Sequence, residues 1–292
     1  MRTKGTRVSN LILLHVIVFV WGFTGILGYE ISLNSVSIVW WRTLIAFVAL
    51  SVFALFARKN LVVERAQLAR FALVGLLTAA HWIFFFESIK VSTISVALVV
   101  LSTTSFFISL LGPFIRKEKF RWAELLLGAL AIVGLTVIFR FESEYTYGII
   151  FSLIAAVLAA LFSTFNSTLV KNTSPLKIAF WEMLFAFLGI TVFVFLSGGT
   201  DLQITSIQGY DFGLLLILGI VCTAFGFVAG IHVLKVLSPF TCALTINLEP
   251  IYTVVFALLF YGEREFMSPQ FYLGAAIILS TLFVEAWVHN RK

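Results

Sequence analysis

Long runs of apolar residues alternate along the chain with short polar breaks. A helix needs about 20 mostly apolar residues to cross ~30 Å of hydrocarbon, and ten runs approach or reach that length. The predicted spans 1 to 10 are residues 9–28, 37–57, 68–87, 92–115, 123–139, 147–169, 178–197, 213–234, 240–261 and 270–288. Because the runs are continuous, without the alternation of a lipid-facing strand, they exclude a transmembrane β-barrel. The short breaks predict that consecutive helices pack antiparallel.

The composition supports the same interpretation. Of the 292 residues, 61% are hydrophobic and 12% are charged, against roughly 45–50% and ~25% in soluble proteins. A soluble domain of this size could not bury so much apolar surface, so a soluble enzyme, a disordered chain and a disulfide scaffold are excluded. Cys222 and Cys242 lie inside apolar runs and are predicted to be buried, unpaired small hydrophobes.

The charges divide between the two sides of the predicted bundle. With the N-terminus in the cytoplasm, 16 of the 20 basic residues fall in cytoplasmic segments, and acidic residues collect in the outer loops. This is the positive-inside asymmetry of membrane proteins. It predicts a multi-pass protein of a bacterial-type inner membrane with both termini cytoplasmic, and it removes nucleic acid as a partner. The first run is longer than a signal-peptide core, so we expect it to remain as span 1.

The two halves of the chain resemble each other. The matching pairs are Trp41–Phe47 with Trp181–Phe187, Ile89–Val91 with Leu234–Val236, and Lys117–Lys119 with Gly262–Arg264. Each half holds five spans, an odd number, so the two units must insert with opposite orientations, as in secondary transporters. The predicted fold is an all-α integral membrane protein with ten transmembrane helices as two inverted five-helix repeats. The predicted units are an N-tail at 1–8, repeats at 9–140 and 147–289, an external linker at 141–146 and a C-tail at 290–292.

One segment resembles a known family. Ser238–Thr253, which contains Leu-Glu-Pro, and the Gly-Glu pair that ends at Glu263 are similar to span 9 of the EamA-type permeases of the drug/metabolite transporter superfamily. In the first repeat, Ser105 stands where that family often has proline. The resemblance covers essentially the whole chain. It implies a permease that moves a small metabolite, such as an amino acid or a related compound, by alternating access, with export the more usual direction.

Glu249 is the first candidate for the substrate site. Ionisable groups at bilayer depth are costly and are therefore functional candidates, and Glu249 lies nine residues into span 9, ~14 Å from its cytoplasmic edge. Pro250 follows it, frees the carbonyl of Ile246 and disfavours helical geometry at Glu249. This carboxyl could contact a substrate or couple transport to protons. It could also cap a neighbouring helix or bond to hydroxyls as a packing device.

Arg42 is the second candidate and lies some 8 Å from the outer edge of span 2. It could bind a substrate carboxylate or pair with Glu249, or it could extend to the outer headgroups beside Trp40 and Trp41. Its counterpart in the repeat is Glu182, near the inner edge of span 7. We expect no direct Arg42–Glu182 pair, because the two residues lie at different depths.

Further candidates lie at similar depths in other spans. His81 could bind substrate, gate or carry protons, or could be a neutral histidine bonded to a hydroxyl, and Trp82 is adjacent to it. Trp21 precedes Gly22 and Gly25 and could form a pocket wall or pack conventionally. The repeat-matched polar residues Thr104 and Ser105, together with Asn247, could line a site or join helices. The proposed substrate-binding set is Glu249, His81, Arg42, Trp82, Trp21, Thr104 and Asn247, with a helix kink at Pro250.

Several chemistries lack a motif. There is no phosphate-binding Gly-Lys-Ser/Thr loop, metal-ligand spacing or nucleophile–base pair, so the sequence predicts no enzyme, no cofactor and no metal. The expected partners are a small-molecule substrate, membrane lipids and coupled protons, and stripes of small residues leave a homodimer open. The alternative function is a flippase for a lipid or lipid-linked molecule. It would need a lateral apolar opening.

Overall fold

The structure of the protein is a computed structural model. It describes residues 4–120, 122–198, 202–203, 207–237, 242, 245–246 and 248–290. Every regular element in these ranges is a helix. In chain order the helices are α1 (Lys4–Glu30), α2 (Ser35–Phe56), α3 (Arg65–Val91), α4 (Ile94–Leu101), α5 (Thr104–Arg116), α6 (Trp122–Phe141), α7 (Thr146–Leu169), α8 (Pro175–Leu196), α9 (Gly209–Leu216), a π-helical segment (Ile217–Phe225), α10 (Gly226–Val233), α11 (Glu249–Tyr261) and α12 (Pro269–Asn290).

These helices coincide with the predicted spans. Seven described segments are long and apolar enough to cross a membrane: Arg7–Glu30, Ser35–Phe56, Arg65–Val91, Ile94–Arg116, Ser143–Leu169, Pro175–Leu196 and Gly209–Val233. Spans 5, 9 and 10 overlap α6, α11 and α12. Phenylalanine and leucine side chains such as Phe56, Phe195 and Leu259 remain exposed on the outer faces of the bundle, where lipid replaces water. The all-α multi-span membrane fold is therefore confirmed.

Short polar residues in the breaks start the helices. The Asn34 side chain accepts a hydrogen bond from the Ser37 backbone N–H at 2.8 Å and caps α2. Thr93 caps α4 in the same way through Val96. Ser174 caps α8, where Pro175 occupies the first turn without losing a bond. Polar breaks thus satisfy backbone donors that hydrocarbon would leave without partners.

Span 4 is broken although it lacks the family's proline. Ser102 and Thr103 separate α4 from α5, and the hydroxyls of Ser102, Thr103 and Thr104 each donate to the carbonyl three residues earlier, at 2.6, 2.7 and 2.7 Å. Such bonds from a side chain to its own helix bend it. Thus a run of hydroxyls accompanies the break here, where Ser105 replaces the family's proline.

The second repeat is broken at the matching place. Leu248 forms a turn, α11 begins at Glu249, and Pro250 lies in its first turn. The prediction that Pro250 disfavours helical geometry at Glu249 is wrong, because Glu249 is the first residue of α11 and proline is accommodated in the first turn of a helix. Thr104 and Glu249, which are 145 residues apart, therefore both begin a helix that follows a turn.

Glycines bring the two repeats together at equivalent points. A Cβ at Gly134 of α6 would lie 2.7 Å from the Gly274 carbonyl oxygen of α12, and a Cβ at Gly274 would lie 2.7 Å from the Gly134 carbonyl oxygen. Likewise Gly75 of α3 lies against the backbone of Glu182, and Gly219 of the π-helical segment lies against Ile45 and the Arg42 carbonyl. These reciprocal contacts agree with two structurally related repeats.

The α6–α12 crossing predicts the effect of a larger residue. Replacing Gly134 with leucine should destabilise the protein by about 1–3 kcal/mol, because the new side chain overlaps backbone that cannot move aside. The expected observation is a lower melting temperature in detergent. Gly213→Leu is the matched control, since a Cβ at Gly213 meets nothing within 4 Å. Equal melting temperatures for the two variants would contradict a close crossing.

Candidate functional site

A cavity of about 180 Å³ lies between the two repeats. Its polar lining includes most of the substrate-site candidates that were chosen by their predicted depth in the membrane. Aromatic side chains form much of the remaining lining. The polar and aromatic lining residues are Trp21, Thr24, Arg42, His81, Trp82, Phe85, Ser102, Thr104, Ser105, Arg116, Phe162, Ser163, Thr164, Asn166, Phe227 and Glu249. The cavity is smaller than the roughly 300–1,000 Å³ of pockets for drug-sized ligands, so it suits a small metabolite.

Arg42 is the buried cation of the cavity wall. Its side chain is 2% exposed, and its guanidinium carbon lies 3.8 Å from the centre of the Trp82 ring. This cation–π contact excludes the alternative in which Arg42 extends to the headgroups. No Arg42 nitrogen lies within 4.0 Å of a carboxylate oxygen in the described ranges, so the hypothesised Arg42–Glu249 ion pair is not formed there. Nor does Arg42 pair with Glu182, as the difference in depth predicted.

The π-helical segment positions Arg42. The Arg42 Nε donates to the Thr223 hydroxyl at 2.6 Å, and that hydroxyl donates in turn to the Leu218 carbonyl, five residues earlier, at 2.7 Å. The second bond directs a lone pair of Thr223 at the guanidinium. The Arg42 Nη1 has no hydrogen-bond partner among the described residues. One edge of the guanidinium is thus held in place, while Nη1 is a buried donor without a partner among the described residues.

Trp21 is held by the same segment. Its indole Nε1 donates to the Cys222 carbonyl at 3.0 Å. The ring lies over Gly226 and Gly230, where an added Cβ would come within 2.7 and 3.0 Å of it. Short π-helical segments often mark functional sites because they shift backbone groups out of the regular helical pattern. The segment therefore fixes both Trp21 and Arg42 at the cavity wall.

His81 is held in one tautomer. Its Nδ1 lies 2.9 Å from the Ala155 carbonyl, which can only accept, so Nδ1 carries the hydrogen. A neutral ring then presents Nε2 as an acceptor. The partner is a backbone carbonyl, whereas the alternative considered from the sequence was a hydroxyl. Phe85 and Phe162 flank the ring, with centroids 6.3 and 5.3 Å away.

The remaining candidates are divided between the cavity wall and the undescribed part of the chain. Thr104 and Glu249, the first residues of α5 and α11, both line the cavity, and Glu249 interacts electrostatically with Arg42. Asn247 lies outside the described residues. Pro250 adjoins Glu249 at the start of α11, and its side chain is not described. The structure therefore brings six of the seven proposed substrate-binding residues to one cavity wall; whether they bind substrate stays a prediction.

Sequence reasoning missed Thr223, Asn166 and Phe227. Thr223 looked like any hydroxyl in an apolar run, and only its place in the π-helical segment directs it at Arg42. Asn166 lies near the end of α7, where a polar residue is unremarkable. The available signal for Asn166 was its amide, which has two donors and an acceptor to satisfy inside a span.

The cavity extends toward one end of the bundle. We call the end where α1 begins the N side and the other end the far side. Leu14, Arg116 and Leu234, which line the cavity, all lie in the N-side half. The far side is closed by hydrogen bonds between the repeats, which we call the far-side latch: Asp211 accepts from the Ser32 backbone and hydroxyl, and Glu265 from the Ile94 and Ser95 backbone and the Ser95 hydroxyl.

The two carboxylates of the far-side latch, Asp211 and Glu265, have a structural role that their positions in the sequence did not indicate. Glu265 caps the N-terminus of α4, accepting from the backbone N–H groups of Ile94 at 3.1 Å and Ser95 at 2.9 Å. A carboxylate is favourable there because the N-terminal end of a helix carries partial positive charge. Since Glu265 belongs to the second repeat and α4 to the first, this cap joins the two halves on the far side.

Comparison with known proteins agrees with this architecture. A model of the EamA-like transporter family matches residues 8–140 and 146–285. An uncharacterized transporter of Haemophilus influenzae is 23% identical over 278 residues, covering 88% of this chain and 87% of its own. The uncharacterized transporter YxxF of Bacillus subtilis is 26% identical over 220 residues, covering 70% of this chain and 65% of its own.

A solved crystal structure has the same fold. It superposes with a TM-score of 0.70 at 15% identity and covers 98% of this chain and 100% of its own. At that identity the likeness concerns the fold alone. The two matches of the family model together span nearly the whole chain, and the related proteins carry the name of transporters. The chain belongs to the EamA-like transporter family of the drug/metabolite transporter superfamily, and it is a multi-pass membrane transporter.

Proposed function

We propose that this transporter is a secondary permease that exports a small zwitterionic metabolite, an amino acid or a close relative, across a bacterial-type inner membrane. The observation that carries the proposal is the guanidinium of Arg42, which lines the cavity with an unpartnered Nη1 and without a carboxylate partner among the described residues. A buried cation in that position is stabilised when a ligand carboxylate enters, because guanidinium and carboxylate form short charge-assisted hydrogen bonds.

The rest of the wall supplies complementary contacts. Glu249 lines the same cavity as Arg42 and interacts with it electrostatically, so its carboxyl would offer an acceptor for the ammonium group of a ligand bound to Arg42. Trp82, Phe162 and Phe227 form an apolar surface for a side chain, and the rings of Phe162 and Phe227 lie 6.3 Å apart. Two opposite charges beside an aromatic wall match an amino acid better than a sugar, which has no charge to place on Arg42.

Alternating access follows from the two ends of the bundle. The cavity extends toward the N side, and the far-side latch closes the other end. Rocking of one repeat against the other would break the latch and open the far side around a nearly fixed site. The excess of basic residues in N-side segments supports a cytoplasmic position for both termini, so the described state would face the cytoplasm, ready to load an exported substrate.

A flippase would need a cavity with an opening toward the lipid. A lipid headgroup would have to enter from the side with its tails remaining in the bilayer. The lining comes from α1 to α5, α7, the π-helical segment, α10 and α11, so both repeats contribute to the site. Charged and polar side chains from both repeats in one cavity of about 180 Å³ favour a small soluble ligand. A second copy of the chain remains an expected partner only on the basis of the small-residue stripes.

The proposed function makes Glu249 essential for export. Cells that overproduce the wild type should accumulate at least one amino acid or related metabolite in the medium. Glu249→Gln should lower the export of that compound by ~10-fold or more, the equivalent of ~1.4 kcal/mol, and should weaken its dependence on external pH. Metabolite profiling at equal protein levels makes the measurement.

The matched control is Glu263→Gln, which changes an exposed carboxylate at the far end of α11. We expect its export rate to equal that of the wild type. Unchanged rate and pH dependence in Glu249→Gln would show that Glu249 is a packing residue. If the wild type exported nothing across amino acids, amines and sugars, the metabolite proposal would give way to the flippase.

Another prediction concerns how Arg42 is held. Thr223→Val keeps the shape of the side chain but removes the acceptor of the Arg42 Nε, so the guanidinium is no longer fixed. The KM of the exported compound should rise by ~10-fold, again about 1.4 kcal/mol, while the protein remains folded. Arg42→Lys should be more severe, because lysine has neither the planar fork nor the same stacking on Trp82.

Thr136→Val serves as the control for this series, since the Thr136 hydroxyl is exposed and bonds only to the Ile132 carbonyl of its own helix, at 2.8 Å. Its KM should be that of the wild type. A KM that is insensitive to both Thr223→Val and Arg42→Lys would remove Arg42 from the binding site.

A further inference from the structure

Glu182 is a carboxyl buried inside α8 that the proposed transport site does not use. Its side chain is 0% exposed. Its Oε2 accepts a hydrogen bond from the Asn166 Nδ2 of α7 at 3.1 Å. Its other oxygen, Oε1, has no partner, and neither has the Asn166 Oδ1, among the described residues. A carboxylate supported by one neutral amide at such a site would be strongly unfavourable.

Charged neighbours do not compensate it. The helix α8 packs against α2, α3 and α10. The titratable and charged side chains on these helices are Arg42 on α2, Arg65, Arg70, His81, Glu87 and Lys90 on α3, His232 on α10, and Lys177 on α8 itself. None of their nitrogens lies within 4.0 Å of a Glu182 oxygen in the described ranges. Arg42 is bound to Thr223, and Lys177 donates to the Val62 carbonyl.

The two unpartnered atoms complement each other once Glu182 carries a proton. A carboxylic acid and a primary amide form a two-armed ring, in which the amide N–H donates to the acid carbonyl and the acid O–H donates to the amide oxygen. The first arm is the Asn166–Glu182 bond. The second arm would join Glu182 Oε1 to Asn166 Oδ1, and these are the two atoms that lack partners.

The cavity reaches this pair from one side. Asn166 lines the cavity and Glu182 does not, so the amide stands between the acid and the transport path. Glu182 also occupies the position in the second repeat that Arg42 occupies in the first, and each of the two residues lies against a glycine of the other repeat, Gly75 and Gly219. Inverted repeats thus place a buried cation in the far-side half and a buried acid in the N-side half.

We propose that Glu182 is a proton-binding site of this transporter, which is protonated in the N-side-open state and paired with Asn166 through both arms of the acid–amide ring. When the Asn166 amide turns into the cavity, N-side water takes its place beside Glu182. The O–H bond then breaks, its electron pair stays on Oε1, the proton passes to that water, and the water solvates the carboxylate left behind. The role of this site in coupling rests on the proposed transport function; proton binding itself does not.

Infrared spectroscopy of the purified full-length protein tests proton binding without any substrate. At neutral pH the wild type should show the C=O stretching band of a protonated, hydrogen-bonded carboxylic acid. Glu182→Gln should lose the intensity of one carboxyl, whereas the exposed control Glu263→Gln should keep it. An identical band in the wild type and Glu182→Gln would show that Glu182 is ionised and would overturn the proposal.

A second variant leaves Glu182 in place. Asn166→Leu removes both arms of the ring, so the Glu182 band should shift toward the position of a free acid; an unshifted band would refute the pairing. Melting temperatures provide a further criterion. Glu182→Gln should melt like the wild type, because glutamine can make both arms with Asn166, and Glu182→Leu should melt lower.

A bound monovalent cation is the competing occupant of these oxygens. The wild type should melt at the same temperature in sodium chloride and in choline chloride. If sodium raised the melting temperature of the wild type but not that of Glu182→Gln, the site would bind sodium and not a proton, which would contradict the proposal. The infrared band can be present even if no metabolite is exported, so failure of the transport function and failure of the proton site give different results.

Discussion

The burial of the Arg42 charge is the constraint on which the site depends. Hydrocarbon offers a guanidinium group no hydrogen-bond partner. Each N–H of a buried arginine therefore needs an acceptor from the protein or from a bound ligand. Trp82 covers the face of the group and Thr223 binds Nε. The π-helical segment is needed for the second contact, because the Thr223 hydroxyl is itself oriented by the Leu218 carbonyl. In the proposed function, a ligand carboxylate would provide the partner that Nη1 lacks.

The inverted repeats place equivalent structural features in opposite halves of the membrane. Thr104 and Glu249 begin matching half-helices, and Gly134 and Gly274 meet at a reciprocal crossing. The repeats nevertheless differ in chemistry: one break carries a run of hydroxyls and the other a Glu-Pro pair. Arg42 and Glu182 hold equivalent positions with opposite charges. A symmetric frame with different polar residues in its two halves would bind an asymmetric molecule in one orientation.

Much of the fold and part of the site could be predicted from the sequence. Apolar run length sets the positions of the spans, and the cost of burying charge directs attention to Arg42, His81 and Glu249. Run length carries no information on partners, so the choice between headgroup, ion pair and cation–π contact for Arg42 required tertiary structure. Thr223 and the break at Ser102 were missed because a hydroxyl in an apolar run looks the same whether it bends a helix, orients a cation or only packs. Asn247 lies outside the described residues.

The proposed transport cycle requires that the cavity around Arg42 be reached alternately from both sides of the membrane. Labelling of a cysteine at position 102, on the cavity wall, tests it most directly, in a protein with Cys222 and Cys242 replaced by alanine that still exports. A membrane-impermeant maleimide should label this cysteine when it is added to either side of oriented vesicles, and more rapidly from the N side. Labelling from one side only, under conditions in which the protein transports, would contradict alternating access.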